Sequence, residues 1–163
     1  VSSTAHRMGR MRLDDLGATA GFETWAAYGQ SKLANLLFAY ALQRRFESEG
    51  CSAISVACHP GYADTNLQQV GPTMRGSAIG SAMMRASNAL FAQSAEKGAW
   101  STLYAATSAD VQGGDYIGPG ELGGIKGAPR KTKSSNRSHD RELADALWNV
   151  SVARTGVDFG ALR

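Results

Sequence analysis

A tyrosine and a lysine four residues apart carry the clearest chemical signal in this chain. They are Tyr28 and Lys32, in the string Tyr28-Gly-Gln-Ser-Lys32. Side chains at positions i and i+4 of a helix lie on one face, one above the other. A free phenol titrates near about 10, and an ammonium group close by favours the phenolate and lowers that pKa. The spacing therefore predicts a general acid/base acting on an alcohol or carbonyl.

The same spacing has a purely structural interpretation, which the pair alone does not exclude. A tyrosine packed against its helix, with the lysine stem lying along the surface, would give the same pattern. Tyrosine and lysine are both common residues, so the surrounding elements decide between the two interpretations.

The pair falls within a long predicted helix. Thr24 is a suitable N-cap, and the helix is predicted to continue through Glu49, where Gly50 ends it in the left-handed conformation. Apolar residues recur at helical spacing and define its buried face. They are Leu33, Leu36, Leu37, Tyr40 and Ala41.

Short strands alternate with helices along the rest of the chain. Strands are predicted at 1–4, 52–58 and 115–117, and further helices at 94–107, capped by Ser94, and at 138–156, capped by Ser138. Strands that alternate with helices indicate a parallel sheet covered on both faces. Three strands are few for such a sheet, and only the end of the first is present. The chain is therefore predicted to be the C-terminal half of a doubly wound, Rossmann-type α/β domain.

One glycine-rich string is interpreted as a chance match. Residues 118–123, Gly-Pro-Gly-Glu-Leu-Gly, fit the dinucleotide pattern GxGxxG. That fingerprint needs a helix to open at the loop, because the helix N-terminus holds the pyrophosphate. The Gly- and Pro-containing residues 124–129 that follow do not favour a helix. Residues 118–136 are therefore predicted to form a loop.

Composition and charge narrow the function classes. The chain has 163 residues, of which 43% are hydrophobic and 19% charged, as expected for one globular domain. Residues 126–141 carry six basic residues against Asp140 alone, although the whole chain is only +3. No Phe, Trp or Tyr lies in that stretch to stack on bases. A solvated basic loop is predicted, with contact to a phosphate or an anionic surface as the alternative, and no nucleic-acid partner is expected.

Cysteine and histidine usage predicts neither a disulfide framework nor a metal site. Cys51 and Cys58 are the two cysteines, and no CxxC or HExxH motif occurs. The longest mostly apolar stretch, residues 33–42, is too short to span a bilayer and contains Asn35. Reduced thiols, no transmembrane segment and no visible signal peptide lead us to expect a cytoplasmic protein.

Three ordered strings together resemble the short-chain dehydrogenase/reductase family. They are Val1-Ser-Ser3, Tyr28-Gly-Gln-Ser-Lys32-Leu-Ala-Asn35 and His59-Pro-Gly61-Tyr-Ala-Asp-Thr65. In a parallel α/β sheet the carboxyl ends of the strands collect at one edge, where ligands bind. The long gap between Ser3 and Tyr28 is similar to the branch that holds retinol dehydrogenases and WW-domain oxidoreductases. The string at residues 113–119 is similar to bacterial members of that branch.

The resemblance implies roles for the three catalytic candidates. Ser3 would hydrogen-bond the substrate oxygen, Tyr28 would exchange the proton, and Lys32 would favour the phenolate and hold the nicotinamide ribose hydroxyls. The alternative for Ser3 is a strand-end serine that caps a turn. Asn35, one turn beyond Lys32, is interpreted as structural, bound to a neighbouring loop.

The resemblance also implies the cofactor contacts. Pro60, Gly61 and the backbone of Tyr62 would meet the nicotinamide carboxamide, and Thr65 would support it through its hydroxyl. A simple turn is the alternative for Pro60-Gly61. The family's Gly-rich turn and its 2′-phosphate selection have no match in this chain, so the choice between NADP and NAD, with NADP favoured, rests on resemblance.

As a whole, the resemblance implies that residues 1–163 form the C-terminal part of a single Rossmann-type oxidoreductase domain. Residues 118–163 would be a C-terminal extension. The methionine content of residues 62–93 and their lack of strong periodicity independently predict a substrate lid, with an ordinary pair of core helices as the alternative. The substrate would be a small apolar alcohol or carbonyl, and the helix carrying Tyr28 would contact a second copy in a homodimer. The second hypothesis is a truncated, catalytically inactive remnant that acts at most as a binding or dimerisation module.

Overall fold

The computed structural model describes residues 1–17, 19–62 and 93–160. Three α-helices and three strands form its regular framework. They are α1 (Thr24–Ser48), β1 (Ala57–Cys58), α2 (Ala95–Thr107), β2 (Tyr116–Glu121), β3 (Lys126–Lys131) and α3 (Arg141–Thr155). Short 3₁₀ helices span Thr4–Arg7, Leu13–Asp15 and Asn136–His139. Most of the predicted lid, residues 63–92, lies outside the described residues.

The sheet is mixed, with strand order β1-β2-β3. β1 pairs with β2 in parallel, as predicted, but β2 pairs with β3 antiparallel. The prediction of a loop over 118–136 is therefore wrong, because a hairpin forms there. Its turn has positive φ angles at Leu122, Gly123 and Gly124, which reverse the chain within a few residues. No helix follows the glycine-rich string, consistent with its interpretation as a chance match.

The first two predicted strands are shorter than expected. Residues 1–3 are extended without forming a regular strand, but the Ser2 amide donates to the Cys58 carbonyl at 2.7 Å, beside β1. The predicted strand at 52–58 shrinks to Ala57–Cys58. The Ser55 amide instead donates to Oε1 of Gln43 on α1, at 2.8 Å. A helix side chain thus takes a hydrogen bond that a neighbouring strand would otherwise make, and Ile54 is left exposed.

Helix α1 has the predicted length and buried face. It spans Thr24–Ser48, and Gly50 has a φ of 62° at its end. The N-cap is Glu23 instead of Thr24, because its carboxylate accepts from the amides of Trp25 and Ala26. The predicted face is buried, and its members are Leu33, Leu36, Leu37, Tyr40 and Ala41.

Two clusters make the core on either side of α1. Leu33, Leu37 and Ala41 pack against α3, and the second cluster joins α1 to β1 and β2. The α3 side of the first cluster consists of Ala144, Leu147 and Trp148. α3 is capped by Asp140, so the prediction of a Ser138 cap is wrong; Ser138 is buried in the preceding 3₁₀ turn. α2 is capped by Ser94, as predicted.

Both cysteines are free thiols, with Cys51 exposed and Cys58 buried. Across the described ranges, no helix combines the length and the apolar character that crossing a bilayer requires.

Candidate active site

Tyr28 and Lys32 lie together near the start of α1. The Lys32 Nζ atom is 5.2 Å from the centroid of the Tyr28 ring, and both side chains are half-buried. Neither the phenol hydroxyl nor the ammonium group forms a hydrogen bond or ion pair with another described residue. The helix therefore brings a phenol and a cation together while leaving both polar ends available to a ligand.

The two adjacent serines before the first 3₁₀ helix make different contacts. Ser2 is buried, and its hydroxyl donates to the Lys32 carbonyl oxygen at 2.9 Å. The Ser3 hydroxyl accepts from the Ala5 amide at 3.2 Å and so caps the 3₁₀ helix Thr4–Arg7. This is the turn-capping role that the sequence offered as the alternative for Ser3. Accepting this bond leaves the hydroxyl hydrogen of Ser3 without an acceptor among the described residues. Ser3 can therefore cap the turn and still donate to a substrate oxygen.

Close packing of two glycines holds the Ser3 segment against the turn that carries Tyr28. A side chain at Gly9 would overlap the Gly29 carbonyl, and a Cβ at Gly29 would lie 3.1 Å from the Ala5 carbonyl oxygen. The Asn35 amide donates to the Val1 carbonyl at 2.8 Å, which confirms its predicted structural role. These contacts bring the strand end and the helix together without using the Tyr28 or Lys32 side chains.

The turn at residues 60–62 is held by the β2–β3 hairpin. Gly61 has a φ of 73°, and a side chain there would overlap the Ile125 carbonyl oxygen. The Tyr62 amide donates to that oxygen at 2.8 Å. The Pro60-Gly61 pair therefore requires glycine for both its backbone conformation and its close approach to the hairpin.

Gln93, which the sequence analysis missed, also stabilises this turn through hydrogen bonds. It is buried, its Nε2 donates to the Pro60 carbonyl at 2.6 Å, and its amide donates to the Tyr62 carbonyl at 2.9 Å. The Gly127 amide donates to its Oε1 at 3.4 Å. A polar residue directly before the helix cap Ser94 was the only local signal for this role.

Two buried histidines, also missed, lie behind the site. The His6 Nδ1 is 2.6 Å from the Ser3 carbonyl oxygen, and its Nε2 accepts from the Ser135 amide at 3.0 Å. This arrangement places the ring hydrogen on Nδ1, which donates to Ser3. Burial lowers the pKa of His6, with the neighbouring Arg7 charge acting in the same direction.

His59 stacks at a tilt on Tyr116, with ring centroids 5.1 Å apart. Burial, with smaller contributions from His6 and Arg7, lowers the pKa of His59 to about 4. The Gly61 amide donates to its Nδ1 at 3.2 Å, so the ring hydrogen is on Nε2. Both histidines are therefore neutral near pH 7, and the sequence offered only their positions next to the Ser3 and Pro60 motifs as signals.

The residues that would hold a nicotinamide cofactor fit unequally. Among the described residues, nothing pairs with the Lys32 ammonium group, which suits ribose hydroxyls, or accepts the hydroxyl hydrogens of Ser3 and Tyr28. The backbone of Tyr62 is already engaged, because its amide donates to the Ile125 carbonyl and its carbonyl accepts from the Gln93 amide. Thr65 lies outside the described residues. Within the described ranges, no group of three histidine, cysteine, aspartate or glutamate side chains is arranged to hold a metal ion.

Known proteins with similar sequences cover nearly the whole of this chain. No family model matches the chain. A polyprenol dehydrogenase from Homo sapiens is 31% identical over 159 residues, covering 96% of this chain and 44% of that protein. The short chain dehydrogenase/reductase dpmpH from Macrophomina phaseolina (strain MS6) is 34% identical over 152 residues, covering 85% of this chain and 66% of that protein. Retinol dehydrogenases from Mus musculus match as well.

A solved structure shows the same fold. The crystal structure of an uncharacterized protein from Mycobacterium paratuberculosis matches with a TM-score of 0.73 at 36% identity, covering 97% of this chain and 49% of that one. The chain thus spans less than half the length of both that protein and the human relative. Because ordered motifs, sequence identity and fold agree, the chain belongs to the short-chain dehydrogenase/reductase family, as a C-terminal portion of its doubly wound domain.

Proposed function

We propose that this chain carries the proton-transfer residues of an NAD(P)-dependent oxidoreductase acting on an apolar alcohol or carbonyl. The observation that carries the proposal is the Tyr28–Lys32 pair, a phenol beside a cation, neither of whose polar ends is bonded to another residue in the described part of the chain. The names of relatives, polyprenol and retinol dehydrogenases, support an apolar alcohol as the substrate class. NADP is favoured over NAD by family resemblance alone.

The nicotinamide, when bound, supplies or accepts the hydride, and the protein manages the proton. In carbonyl reduction the Tyr28 hydroxyl gives its proton to the substrate oxygen as that oxygen becomes a hydroxyl. In alcohol oxidation the phenolate takes the hydroxyl proton back. The Lys32 ammonium stabilises the negative charge on the phenol oxygen, and the Ser3 hydroxyl donates to the substrate oxygen.

Further predictions belong to the same proposal. Residues 62–93 would close over the substrate, and residues 118–163 would form the family's C-terminal extension. The helix α1 would pair with a second copy through the part that α3 leaves uncovered. A cytoplasmic location stays a prediction and rests on the two free thiols.

Replacing Tyr28 with Phe in the longest form of the protein that its gene encodes tests the mechanism. The change removes the phenol oxygen and its proton while keeping the ring, so turnover should fall at least about a thousandfold while cofactor binding remains. Tyr104→Phe is the matched control, because it removes a half-buried phenol from helix α2, where the hydroxyl donates to Asp110 at 2.8 Å.

Turnover of Tyr28→Phe within about tenfold of the parent would reject Tyr28 as the acid/base. A parent protein that binds no nicotinamide cofactor and turns over no alcohol, yet forms a defined dimer, would favour the alternative of an inactive binding or dimerisation module.

A further inference from the structure

A cavity separate from the Tyr28–Lys32 pair lies between the first 3₁₀ helix, the end of β1 and the hairpin. Its volume is about 170 Å³, and neither Tyr28 nor Lys32 lines it. The lining residues that bear on its chemistry come from all three segments. They are Arg7, His59, Tyr116, Gly124, Arg130 and Lys133.

The rim of this cavity is strongly basic. Arg7, Arg130 and Lys133 line it, and no Asp or Glu does so within the described part of the chain. Arg7 donates to the Lys133 carbonyl at 2.6 Å, a bond that leaves its charge without a counter-ion. The side chains of Arg130 and Lys133 form no hydrogen bond or ion pair with a described residue.

The other basic residues of the 126–141 stretch behave differently where the structure shows their contacts. Lys131 pairs with Asp115 at 2.8 Å, and Arg137 donates to the Gly9 carbonyl at 3.2 Å. Of the six basic residues in this stretch, Lys131 and Arg137 contact other parts of the fold, whereas Arg130 and Lys133 line the cavity. Arg7, far away in the sequence, adds the third charge.

A buried histidine lies in the cavity lining together with these charges. His59 is only 3% exposed, and its Nε2–H has no acceptor among the described residues. The ring packs against the hairpin, since a Cβ at Gly118 of β2 would overlap Nε2 and one at the lining residue Gly124 would lie 3.2 Å from Cε1. Tyr116 also lines the cavity and is 4% exposed. The Nε2–H of His59 is therefore a neutral donor that the cavity lining leaves available to an acceptor.

We propose that this cavity binds the phosphate group of a small anion, either inorganic phosphate or a phosphate monoester. A phosphate carries up to two negative charges and three or more acceptor oxygens, which matches three cations and a neutral donor. Arginine provides paired donors in the planar arrangement that phosphate oxygens favour. The site is independent of the proposed hydride-transfer chemistry, because it shares no side chain with the Tyr28–Lys32 pair.

Calorimetric titration of the full chain tests the site, with inorganic phosphate and methyl phosphate as separate probes. Sodium chloride at matched ionic strength corrects for screening. Arg130→Gln should weaken phosphate binding at least about tenfold, because it removes a charge-assisted hydrogen bond. Lys133→Gln should act in the same direction and serves as the second variant if Arg130→Gln does not fold. Arg141→Gln, exposed at the start of α3, removes the same charge and should change binding by less than about twofold.

The two probes distinguish the source of the phosphate. Tighter binding of methyl phosphate indicates a monoester, and tighter binding of the inorganic ion indicates free phosphate. The imidazole signals of His59 should shift during either titration of the parent. Absence of phosphate binding above the chloride control would overturn the proposal. Equal weakening by Arg141→Gln would also overturn it, since that result would show attraction to net charge alone.

Discussion

Two neighbouring regions of this molecule use their polar groups in opposite ways. At the start of α1, the hydroxyl of Tyr28 and the ammonium of Lys32 have no partner among the described residues. At the turn of residues 60–62, the Pro60 carbonyl and both backbone groups of Tyr62 are hydrogen-bonded. The polar groups of the first region can therefore bind a ligand, whereas those of the second region form the hydrogen bonds that stabilise the turn.

The adjacent serines repeat this contrast at the scale of two residues. Ser2 is buried and commits both its amide and its hydroxyl, to Cys58 and Lys32. Ser3 accepts one amide and keeps its hydroxyl hydrogen free. A site that must act on a ligand needs rigid support from neighbours whose own bonds are complete, and the two serines divide these tasks.

Removing the ammonium group of Lys32 should have the largest effect on activity. Lys32→Met should lower kcat/KM about a thousandfold, or ~4 kcal/mol, because the charge on the phenol oxygen loses its stabilising partner. Lys97→Met is the control, since Lys97 also lies over an aromatic ring, 5.9 Å from the centroid of Trp100. Steady-state kinetics and far-UV circular dichroism of both variants make the comparison. Equal activity in the two variants would remove the special role of Lys32.

A substitution in the turn of residues 60–62 should lower the stability of the protein. Gly61→Ala should lower the free energy of unfolding by roughly 3 kcal/mol, because it combines an unfavourable positive φ with overlap of the Ile125 carbonyl. Gly50→Ala has a similar φ of 62° but open space around it, so it should cost only about 1 kcal/mol. Urea unfolding measures both. Equal losses would mean that the contact with Ile125 contributes nothing.

The buried His59 should make stability depend on pH. Its folded pKa of about 4 lies below the ordinary 6.5, so the fold favours the neutral ring. This contribution is complete above about pH 6.5 and is lost as pH falls through the window toward about 4, for a total of roughly 3 kcal/mol. Unfolding free energies measured across this range should show the decline.

A histidine substitution isolates the source of that decline. His59→Gln should flatten the slope between about pH 6.5 and 4, and the exposed His139→Gln should leave it in place. An unchanged slope in His59→Gln would assign the pH dependence to other groups. His6, whose pKa is also lowered by burial, acts in the same direction and leaves a residual slope.

The smallest expected effects separate the two serines. Ser2→Ala should destabilise the protein by about 1 kcal/mol, because it removes the hydrogen bond to the Lys32 carbonyl. Ser3→Ala should lower kcat about tenfold with a smaller loss of stability, because its free hydroxyl hydrogen serves the substrate. Thermal unfolding and turnover measured on both variants test the division. A reversal of the two outcomes would assign the substrate contact to Ser2.

Local patterns predicted α1 and its buried face correctly because helical periodicity is a property of consecutive residues. Strand predictions were less successful. The segment before Ala57 has strand-like residues, but the Ser55 amide donates to the Gln43 side chain of α1 instead of to a neighbouring strand. Because Gln43 lies twelve residues away in the chain, the local sequence around Ser55 does not indicate this bond. The hairpin of β2 and β3 was missed because its glycines and prolines suggested a loop.

By itself, the sequence determined the order of the motifs, the helix that carries Tyr28 and Lys32, and the family to which the chain belongs. These features depend on residue type and short spacing. The tertiary structure alone decided which hydroxyl of Ser2 and Ser3 stays free, how Gln93 fastens the 60–62 turn, and which basic residues face a cavity. The partners in these contacts are separated by 30 residues for Ser2 and Lys32 and by 33 for Gln93 and Pro60. Hydrogen-bond geometry sets them, and it exists only after the chain has folded.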